Sequence, residues 1–276
     1  MLNSTQSAII IGASSGIASA IVDQLIANND IEQIITVSQS TQYQATVTDA
    51  IKNKVNLQHM VSDYTAESIA KICDSLAPIK GHIVNVFICN GRLHNQVDKQ
   101  ANGSSTAEVQ SLTSSKDTTS SPLLAPEKRL EEINPESMQA LFHSNTIVPM
   151  MWLQQLTTLL KGKQPCIITV LSARVGSISD NHLGGWYSYR ASKAALNMLI
   201  KTTAIEYGRR AKNVKLIAFH PGTTDTDLSK PFQHNVPEGK LFTTEFVAQQ
   251  LLTIHQGLSF NREAEFLDWQ GKTVPW

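Results

Sequence analysis

Residues 8–18 read Ala-Ile-Ile-Ile-Gly-Ala-Ser-Ser-Gly-Ile-Ala, and this stretch decides the fold of the chain. Its first four residues are apolar and mostly β-branched, which is typical of a buried parallel strand. Apolar side chains then recur at helical spacing at Ile17, Ile21 and Leu25. Glycines between a strand and a helix let the backbone approach a pyrophosphate, and the helix N-terminus offers it unpaired N–H groups. The stretch therefore predicts a nucleotide-binding turn, with an ordinary strand-to-helix loop as the alternative.

Apolar runs and helical patterns alternate along the remainder of the chain. Further strands are expected at 34–37, 57–61, 82–89, 166–171, 214–220 and 265–269, and helices at 48–54, 68–76, 135–160, 188–208 and 244–257. Pro149 predicts a bend or break within the long helix. Strands that alternate with helices pair in parallel through right-handed crossovers. The sequence thus predicts one α/β domain over 1–276, a doubly wound parallel sheet of about seven strands with helices on both faces, as in the Rossmann fold.

Tyr189 and Lys193 lie four residues apart in a helical run and so project from one helix face. A phenol can donate a proton to a developing alkoxide, but a free pKa of about 10 makes it a weak acid at neutral pH. A neighbouring ammonium favours the phenolate, and we expect Lys193 to lower the pKa of Tyr189 toward the working range. The pair points to carbonyl reduction or alcohol oxidation, although this spacing also fits an exposed aromatic residue and a solvated lysine.

Five motifs, in this order along the chain, resemble those of the short-chain dehydrogenase/reductase family. They are the glycine motif with Gly12, Gly16 and Ala18 at its third position, then Asn145, then Ser172 after an apolar strand, then Tyr189 with Lys193, and last Pro221 with Gly222. The segments 126–130, 236–240 and 268–276 resemble the C-factor-like branch of the family, which includes small carbonyl reductases. Five ordered motifs are more specific than any one of them.

The resemblance implies an NAD(P)-dependent oxidoreductase that transfers a hydride between a nicotinamide and a carbonyl or alcohol substrate. It implies that Tyr189 acts as the acid/base and that Ser172 binds the substrate oxygen. It also implies that Lys193 binds the nicotinamide ribose and that Asn145 holds a water of the proton relay. The implied cofactor contacts are Gly12, Ser14, Ser15, Gly16, Ile17, Ser38, Asp63, Asn90, Gly91, Tyr189, Lys193, Pro221, Gly222 and Thr224.

Two departures from the family pattern adjoin the glycine motif. Ile11 stands where the family has threonine, and 88–91 read Ile-Cys-Asn-Gly in place of Asn-Asn-Ala-Gly. In the family that threonine helps tie the two loops together, so the paired change suggests a compensated exchange. We expect Cys89 to be a buried small apolar residue rather than a reactive thiol.

The turn after the second strand bears on cofactor choice. NAD-binding proteins usually carry an acidic residue there, which bonds the ribose hydroxyls. Residues 37–41 read Val-Ser-Gln-Ser-Thr, with neither an acidic nor a basic side chain. No carboxylate would repel a 2′-phosphate, and Ser15, Ser38 and Ser40 could donate neutral hydrogen bonds to it. NADP(H) is therefore favoured over NAD(H), and Asp63 matches the family's adenine-binding aspartate.

Composition and net charge restrict the kinds of molecule that we expect the chain to bind. The chain has 276 residues, 41% of them hydrophobic, and a formal net charge of zero. Neither nucleic acid nor an anionic membrane is therefore expected as a partner, and a small molecule is. The start of the chain shows no secretory signal, no apolar run is long enough to span a bilayer, and three sparse cysteines suit a reducing cytoplasm. No metal site is expected, and a homodimer or a homotetramer is the expected assembly.

A Ser/Thr-rich insertion around 95–125 interrupts the alternation of strands and helices. Between 103 and 121, 11 of 19 residues are Ser or Thr, and such a stretch cannot bury enough apolar surface to offset its ordering entropy. We expect a flexible loop beside the mouth of the site. It is either passive or a flap for a substrate or partner.

Two other functions remain open on the sequence alone. The chain could be a catalytically weak nucleotide-sensing or signalling protein that keeps the fold, although the complete set of four catalytic residues argues against this. It could also be a sugar-nucleotide epimerase or dehydratase, whose usual C-terminal substrate region is longer than the stretch after the last predicted strand. The substrate itself is not readable.

Overall fold

The computed structural model describes residues 6–28, 31–41, 55–94 and 124–276. The predicted helix at 48–54 and the insertion, apart from its last residues, lie outside the described residues. In the described ranges, no helix combines the length and apolarity that crossing a bilayer requires.

Seven parallel strands form one sheet in the order β3-β2-β1-β4-β5-β6-β9. Their bounds are β1 Ser7–Ile11, β2 Gln33–Ser38, β3 Asn56–Val61, β4 Ile83–Ile88, β5 Cys166–Leu171, β6 Val214–His220 and β9 Glu265–Asp268. The order reverses between β1 and β4, and in such sheets a crevice opens at the carboxyl ends of the strands at this point. The predicted doubly wound sheet is confirmed.

Helices cover both faces of the sheet. They are α1 Gly16–Asn28, α2 Ala66–Ser75, α3 Pro135–Phe142, α4 Val148–Leu160, α5 Tyr187–Arg210 and α6 Thr244–Gln256. Residues of α2, α4 and α5, such as Ile72, Trp152 and Leu196, pack into one apolar core, and residues of α1 and α6, such as Ile21 and Leu251, pack into a second. A sheet with a core on each face must be apolar on both, which explains the β-branched run of β1.

The long helix predicted over 135–160 is two helices joined by a π-helical turn at His143–Ile147. Pro149 is not where the chain bends. It occupies the first turn of α4, where the missing N–H of proline removes no helical hydrogen bond. Proline thus correctly signalled a discontinuity, but the irregular turn precedes it and contains Asn145.

A small second sheet was not predicted. Its parallel strands β7 (Thr223–Thr224) and β8 (Leu241–Phe242) bring the segment after Pro221 back against the main sheet. Gly222 has φ +74°, and a Cβ there would lie 2.6 Å from Cε2 of Phe242. Two-residue strands leave no readable period in the sequence, so only the Pro-Gly turn signalled this region.

Candidate active site

A cleft of about 260 Å³ lies at the carboxyl ends of β1 and β4. Six of the predicted cofactor residues line it, namely Gly12, Ser14, Ser15, Asp63, Asn90 and Gly91. Residues that sequence reasoning missed also line it, and they are Gln39, Tyr64, Arg92, His143, Ser144 and Val148. Cys89, in the loop after β4, lies there too. The glycine turn and the loop after β4 therefore form one crevice, as the doubly wound topology requires.

Gly12 allows these two loops to touch. It has φ +79°, and a Cβ there would lie 2.9 Å from both the backbone N of Asn90 and the backbone C of Cys89. The Cys89 N–H donates a hydrogen bond to the carbonyl of Ile11 at 2.8 Å. The loops are thus joined through the main chain, which needs neither the threonine nor the asparagine of the family pattern.

The first turn of α1 offers unpaired N–H groups beside the cleft. Ser15 Oγ accepts the N–H of Ala18 at 3.3 Å, and the helix begins at Gly16. A Cβ at Gly16 would lie 3.2 Å from Cγ2 of Thr244 and 3.6 Å from Cγ2 of Thr226, so the glycine lets these threonines close over the turn. Ile17 is buried in the core behind it. A close glycine approach and a free helix N-terminus suit a dinucleotide diphosphate.

Ser38 does not face the cleft, contrary to the expectation that its hydroxyl reaches the cofactor. The residue is buried, and its Oγ donates to the Ser40 carbonyl at 3.3 Å and accepts the Ser40 N–H at 3.2 Å. The hydroxyl therefore shapes the turn. Gln39, the next residue, is exposed and lines the cleft in its place.

Asp63 and Tyr64 form the wall after β3. The Asp63 carboxylate accepts the N–H and the hydroxyl of Thr65 at 2.9 and 2.8 Å, and these bonds hold the pKa of Asp63 below its usual value. Tyr64 has φ 62°, a left-handed conformation that is uncommon for a residue with a side chain. Asp63 thus both lines the cleft and supports the start of α2.

The four predicted catalytic residues converge beside Gly91. A Cβ at Gly91 would lie 3.5 Å from Nζ of Lys193 and 3.6 Å from Oδ1 of Asn145. Lys193 Nζ donates to the carbonyl of Leu171, the residue before Ser172, at 2.8 Å and lies 5.9 Å from the centroid of the Tyr189 ring. The π-helical turn and α5 therefore bring Asn145 and Lys193 beside Gly91 of the cleft, and Lys193 links the end of β5 to the Tyr189 ring.

Ser172 is oriented by a residue that sequence reasoning missed. Its Oγ donates to Oδ1 of Asn197 at 2.6 Å, and Nδ2 of Asn197 donates to the Gly176 carbonyl at 3.2 Å. The available signal was the position of Asn197, four residues after Lys193 on the same helix face. A Cβ at Gly176 would lie 2.8 Å from backbone C and Cβ of Lys193, so this glycine lets the loop after β5 reach α5.

Asn145 uses its whole side chain to hold other protein groups. Oδ1 accepts the Arg92 N–H at 2.7 Å, and Nδ2 donates to the Arg92 carbonyl at 2.9 Å and to Ser192 Oγ at 3.0 Å. The side-chain amide of Asn145 thus ties the loop after β4 to α5, and its predicted contact with a water stays a prediction.

Burial shifts the pKa values of Tyr189 and Lys193. It raises the pKa of Tyr189 well above its usual value and lowers the pKa of Lys193 to about 8. Our expectation of a lowered tyrosine pKa was wrong for this state, because desolvation of the phenol outweighs an ammonium that bonds Leu171 instead. Cys89 is buried, as expected, and burial raises its pKa to about 12 against the opposing charge of Lys193.

An aromatic group stands beside Tyr189. The Trp186 ring contacts the Tyr189 ring edge-on with centroids 6.2 Å apart, and it packs on Phe232 at 5.0 Å. His94 contacts Phe232 at 5.8 Å, and its Nε2 lies 3.0 Å from the Leu228 carbonyl. These contacts close one side of the site by joining the loop after β4 to the segment after β7.

Pro221, Gly222 and Thr224 do not line the cleft at the glycine turn. Thr224 is buried and its Oγ1 donates to the Pro221 carbonyl at 3.5 Å, and Gly222 lies against Phe242 and Trp269. They build the small sheet whose neighbour Thr226 reaches Gly16. Their predicted contact with a cofactor stays a prediction.

Comparison with known proteins shows which families and proteins the chain resembles. Residues 123–237 match the family model of the short chain dehydrogenases. The chain is 33% identical over 106 residues to the C-signal protein of Myxococcus xanthus and 31% identical over 132 residues to 1-hydroxy-2-glutathionyl-2-methyl-3-butene dehydrogenase of a Rhodococcus species. These matches cover 38% and 48% of the chain, and 58% and 55% of the relatives, so the chain spans little more than half the length of either.

Two solved structures share the fold over nearly their whole length. NADPH-bound carbonyl reductase from chicken fatty liver superposes with a TM-score of 0.75 at 21% identity, covering 99% of each chain. A short-chain dehydrogenase/reductase from Burkholderia multivorans with bound NADP superposes with a TM-score of 0.74 at 18% identity, covering 99% of this chain and all of the other. Residues 123–237 thus match the short chain dehydrogenase model, and the described fold is the one that these two solved structures share.

Proposed function

We propose that the protein is an NAD(P)-dependent oxidoreductase that interconverts a carbonyl and an alcohol. The observation that carries the proposal is the position of Lys193 beside Gly91 of the cleft, where its Nζ bonds the carbonyl that precedes Ser172 and lies 5.9 Å from the Tyr189 ring. The residues of the cleft suit a nicotinamide dinucleotide, since Gly12 gives close backbone approach and α1 presents its N-terminus. When bound, the nicotinamide supplies the hydride chemistry.

The side chains would divide the proton chemistry between them. Tyr189 donates a proton to the carbonyl oxygen in reduction and accepts it in oxidation. Ser172 turns its hydroxyl from Asn197 to the same oxygen. Lys193, with a pKa of about 8, exchanges protons near neutral pH and so can restore the proton of Tyr189. Lys193 and Asn145 lie beside Gly91, which lines the cleft, and this neighbourhood supports a catalytic role over nucleotide sensing alone.

The assay follows NADPH oxidation against a panel of aldehydes, ketones and quinones. Tyr189→Phe should lower turnover about 100-fold or more while leaving NADPH binding nearly unchanged, because it deletes the transferable proton alone. Tyr207→Phe is the matched control, since it removes a phenol from the same helix far from the cleft and should keep turnover. A Tyr189→Phe enzyme with wild-type rates on every active substrate would falsify the assignment.

The proposal includes a preference for NADP(H). No carboxylate follows β2, and Gln39 is the side chain there that lines the cleft. Titration should show that NADPH binds more tightly than NADH. Gln39→Asp should weaken NADPH binding about tenfold by charge repulsion, and Gln39→Arg should strengthen it. Tighter binding of NADH by the wild type would show that this turn has been misinterpreted.

Substrate, location and assembly are further parts of the proposal. We propose a small carbonyl or alcohol substrate, as the names of relatives such as the benzil reductases of two Bacillus species suggest. A cytoplasmic location fits three buried free cysteines. A homodimer or homotetramer would cover Met198 and Ile205, which are 64% and 56% exposed on one face of α5. Light scattering of the purified chain tests the assembly.

A further inference from the structure

Glu127 is a buried carboxylate at the start of the catalytic helix. Only 4% of the residue is exposed, and no ion pair reaches it within the described ranges. One carboxylate oxygen accepts the Ser188 N–H at 3.2 Å, and the other accepts the Ser188 hydroxyl. The partners are 61 residues apart in sequence, so the contact is tertiary. A buried carboxylate is unfavourable unless specific groups satisfy it, and here helix N–H and hydroxyl groups do so.

The entry to α5 is strained and has no local cap. Trp186 precedes the helix at φ 54° and ψ 42°, with no side-chain capping bond of its own, and Gly184 and Gly185 before it also have positive φ. Its N–H donates to the backbone carbonyl of Glu127 at 2.5 Å. A left-handed residue with a side chain persists only where its surroundings impose the conformation. Glu127 does this from both sides, with its carbonyl before the helix and its carboxylate on the first turn.

This first turn carries the reacting side chain. Tyr189 directly follows Ser188, and its ring contacts the Trp186 ring at 6.2 Å. Glu127 thus holds the residues immediately before Tyr189 through its bonds to Trp186 and Ser188. Because general acid catalysis depends on the position of the donated proton, a small displacement of this turn lowers turnover.

We propose that Glu127 is a positioning residue that caps the catalytic helix from outside it and thereby sets the place of Tyr189 and Trp186. It also gives a physical role to the segment 126–130, which the sequence singled out and the cofactor cleft does not use. The proposal rests on the proposed function for its kinetic consequences, but its structural part stands without it.

Three variants separate positioning from folding. Glu127→Ala removes both bonds to Ser188, and Glu127→Gln keeps an amide of the same shape that can bond the N–H and the hydroxyl. Glu131→Ala is the control, since Glu131 is an exposed acid on the same segment. We expect Glu127→Ala to lower kcat about 10- to 100-fold with the Kd for NADPH changed less than twofold. Glu127→Gln should recover kcat to within about threefold, and Glu131→Ala should match the wild type.

Hydrogen exchange supplies a readout besides activity. The peptide around 185–192 should exchange faster in Glu127→Ala than in Glu127→Gln, and peptides of the sheet should not change. If the wild type turns over no carbonyl, this exchange pattern still supports the cap and the proposed function alone fails. If Glu127→Ala does not fold, Ser188→Ala replaces it and should lower kcat while keeping NADPH binding. Wild-type kcat, or equal losses of kcat and NADPH binding, in the variant that is measured would overturn the proposal.

Discussion

Two lysines are buried among the residues that the structure describes, and their bonding partners differ. Lys215, near the amino end of β6, has a side chain with no exposed surface, and its Nζ bonds Glu265 at 2.5 Å and Asn261 at 2.7 Å. Lys193, at the carboxyl end of the sheet, is 3% exposed, and its bond is to the neutral carbonyl of Leu171. No carboxylate pairs with Lys193 in the part of the chain that the structure describes.

The difference in bonding partners distinguishes a lysine that serves the fold from a lysine that can take part in proton transfer. A buried ammonium with a carboxylate partner keeps its charge satisfied within the fold. Without such a partner, burial disfavours the charged form, and the pKa of Lys193 falls to about 8. The carboxyl end of the sheet thus holds a group whose protonation can change near neutral pH, and such a group is typical of a functional site.

Lys193→Met gives the largest expected effect. Turnover should fall about 100- to 10,000-fold, because the proposed proton exchange and the proposed ribose contact would both be lost. The melting temperature at neutral pH should be unchanged or raised, since the variant no longer buries an ammonium. The folded pKa of about 8 lies below the ordinary 10.5, so the unfolded chain binds more protons between these values. Wild-type stability should therefore rise with pH in that window, and the variant should lack the rise.

The contrast between Lys193 and Lys215 is contradicted if the Lys193→Met variant keeps its activity or loses most of its stability. Lys212→Met, which changes an exposed lysine, is the control for the general effect of removing one positive charge.

Lys215→Met should show the reverse pattern. It leaves Glu265, which is 32% exposed, without its partner, and the free energy of unfolding should fall by roughly 2–3 kcal/mol. Specific activity of the folded fraction should stay within about twofold of wild type, since the site lies at the other end of the sheet. Urea denaturation with a parallel assay checks both. A Lys215→Met variant that is stable but inactive would mean that Lys215 contributes to catalysis, and the contrast with Lys193 would not hold.

A change at His255 gives the smallest expected effect, which is on the pH dependence of stability. His255 is a second buried titratable group outside the candidate site. Its Nε2 lies 2.8 Å from Thr169 Oγ1, its Nδ1 lies 3.2 Å from Asn85 Oδ1, and its ring stacks on Phe87. Burial lowers its pKa to about 3. The unfolded chain therefore binds more protons below pH 6.5, and stability present above that pH is lost as the pH falls toward 3.

His255→Gln should flatten this loss by roughly 1–2 kcal/mol between pH 7 and pH 5. The stability of this variant should still fall somewhat with pH, because burial also lowers the pKa of His220, to about 4. Urea midpoints across that range make the measurement, with the exposed His234→Gln as control. Equal slopes in wild type and His255→Gln would mean that His255 already exchanges protons with solvent in the fold.

The sequence predicted regular elements better than irregular ones. The strands Cys166–Leu171 and Val214–His220 have the predicted bounds, because mostly apolar runs between polar breaks leave little choice. The break in the helix after 135 was predicted at Pro149 but lies in the turn His143–Ile147. That turn contains Asn145, whose bonds to Arg92 span 53 residues, and no local pattern encodes such a partner.

The same division holds in the site. Motif residues such as Gly12 and Gly91 lie where expected, since a glycine is needed wherever backbones meet closely. Ser38 and Gln39 exchange roles because one residue of offset on a strand end reverses the direction of a side chain. Glu127 and Asn197 were not recognised, because each acts through a residue far away in the chain.

By itself the sequence determined the layers of the fold, the parallel pairing of its strands and the candidate side chains of the site. Those features follow from apolar period, from glycines and from a local spacing of four residues. Only the tertiary structure decided which buried lysine carries a carboxylate, where the phenol's pKa lies and which distant groups hold the catalytic helix. Burial and long-range hydrogen bonds set these properties, and both depend on residues that meet only after the chain has folded.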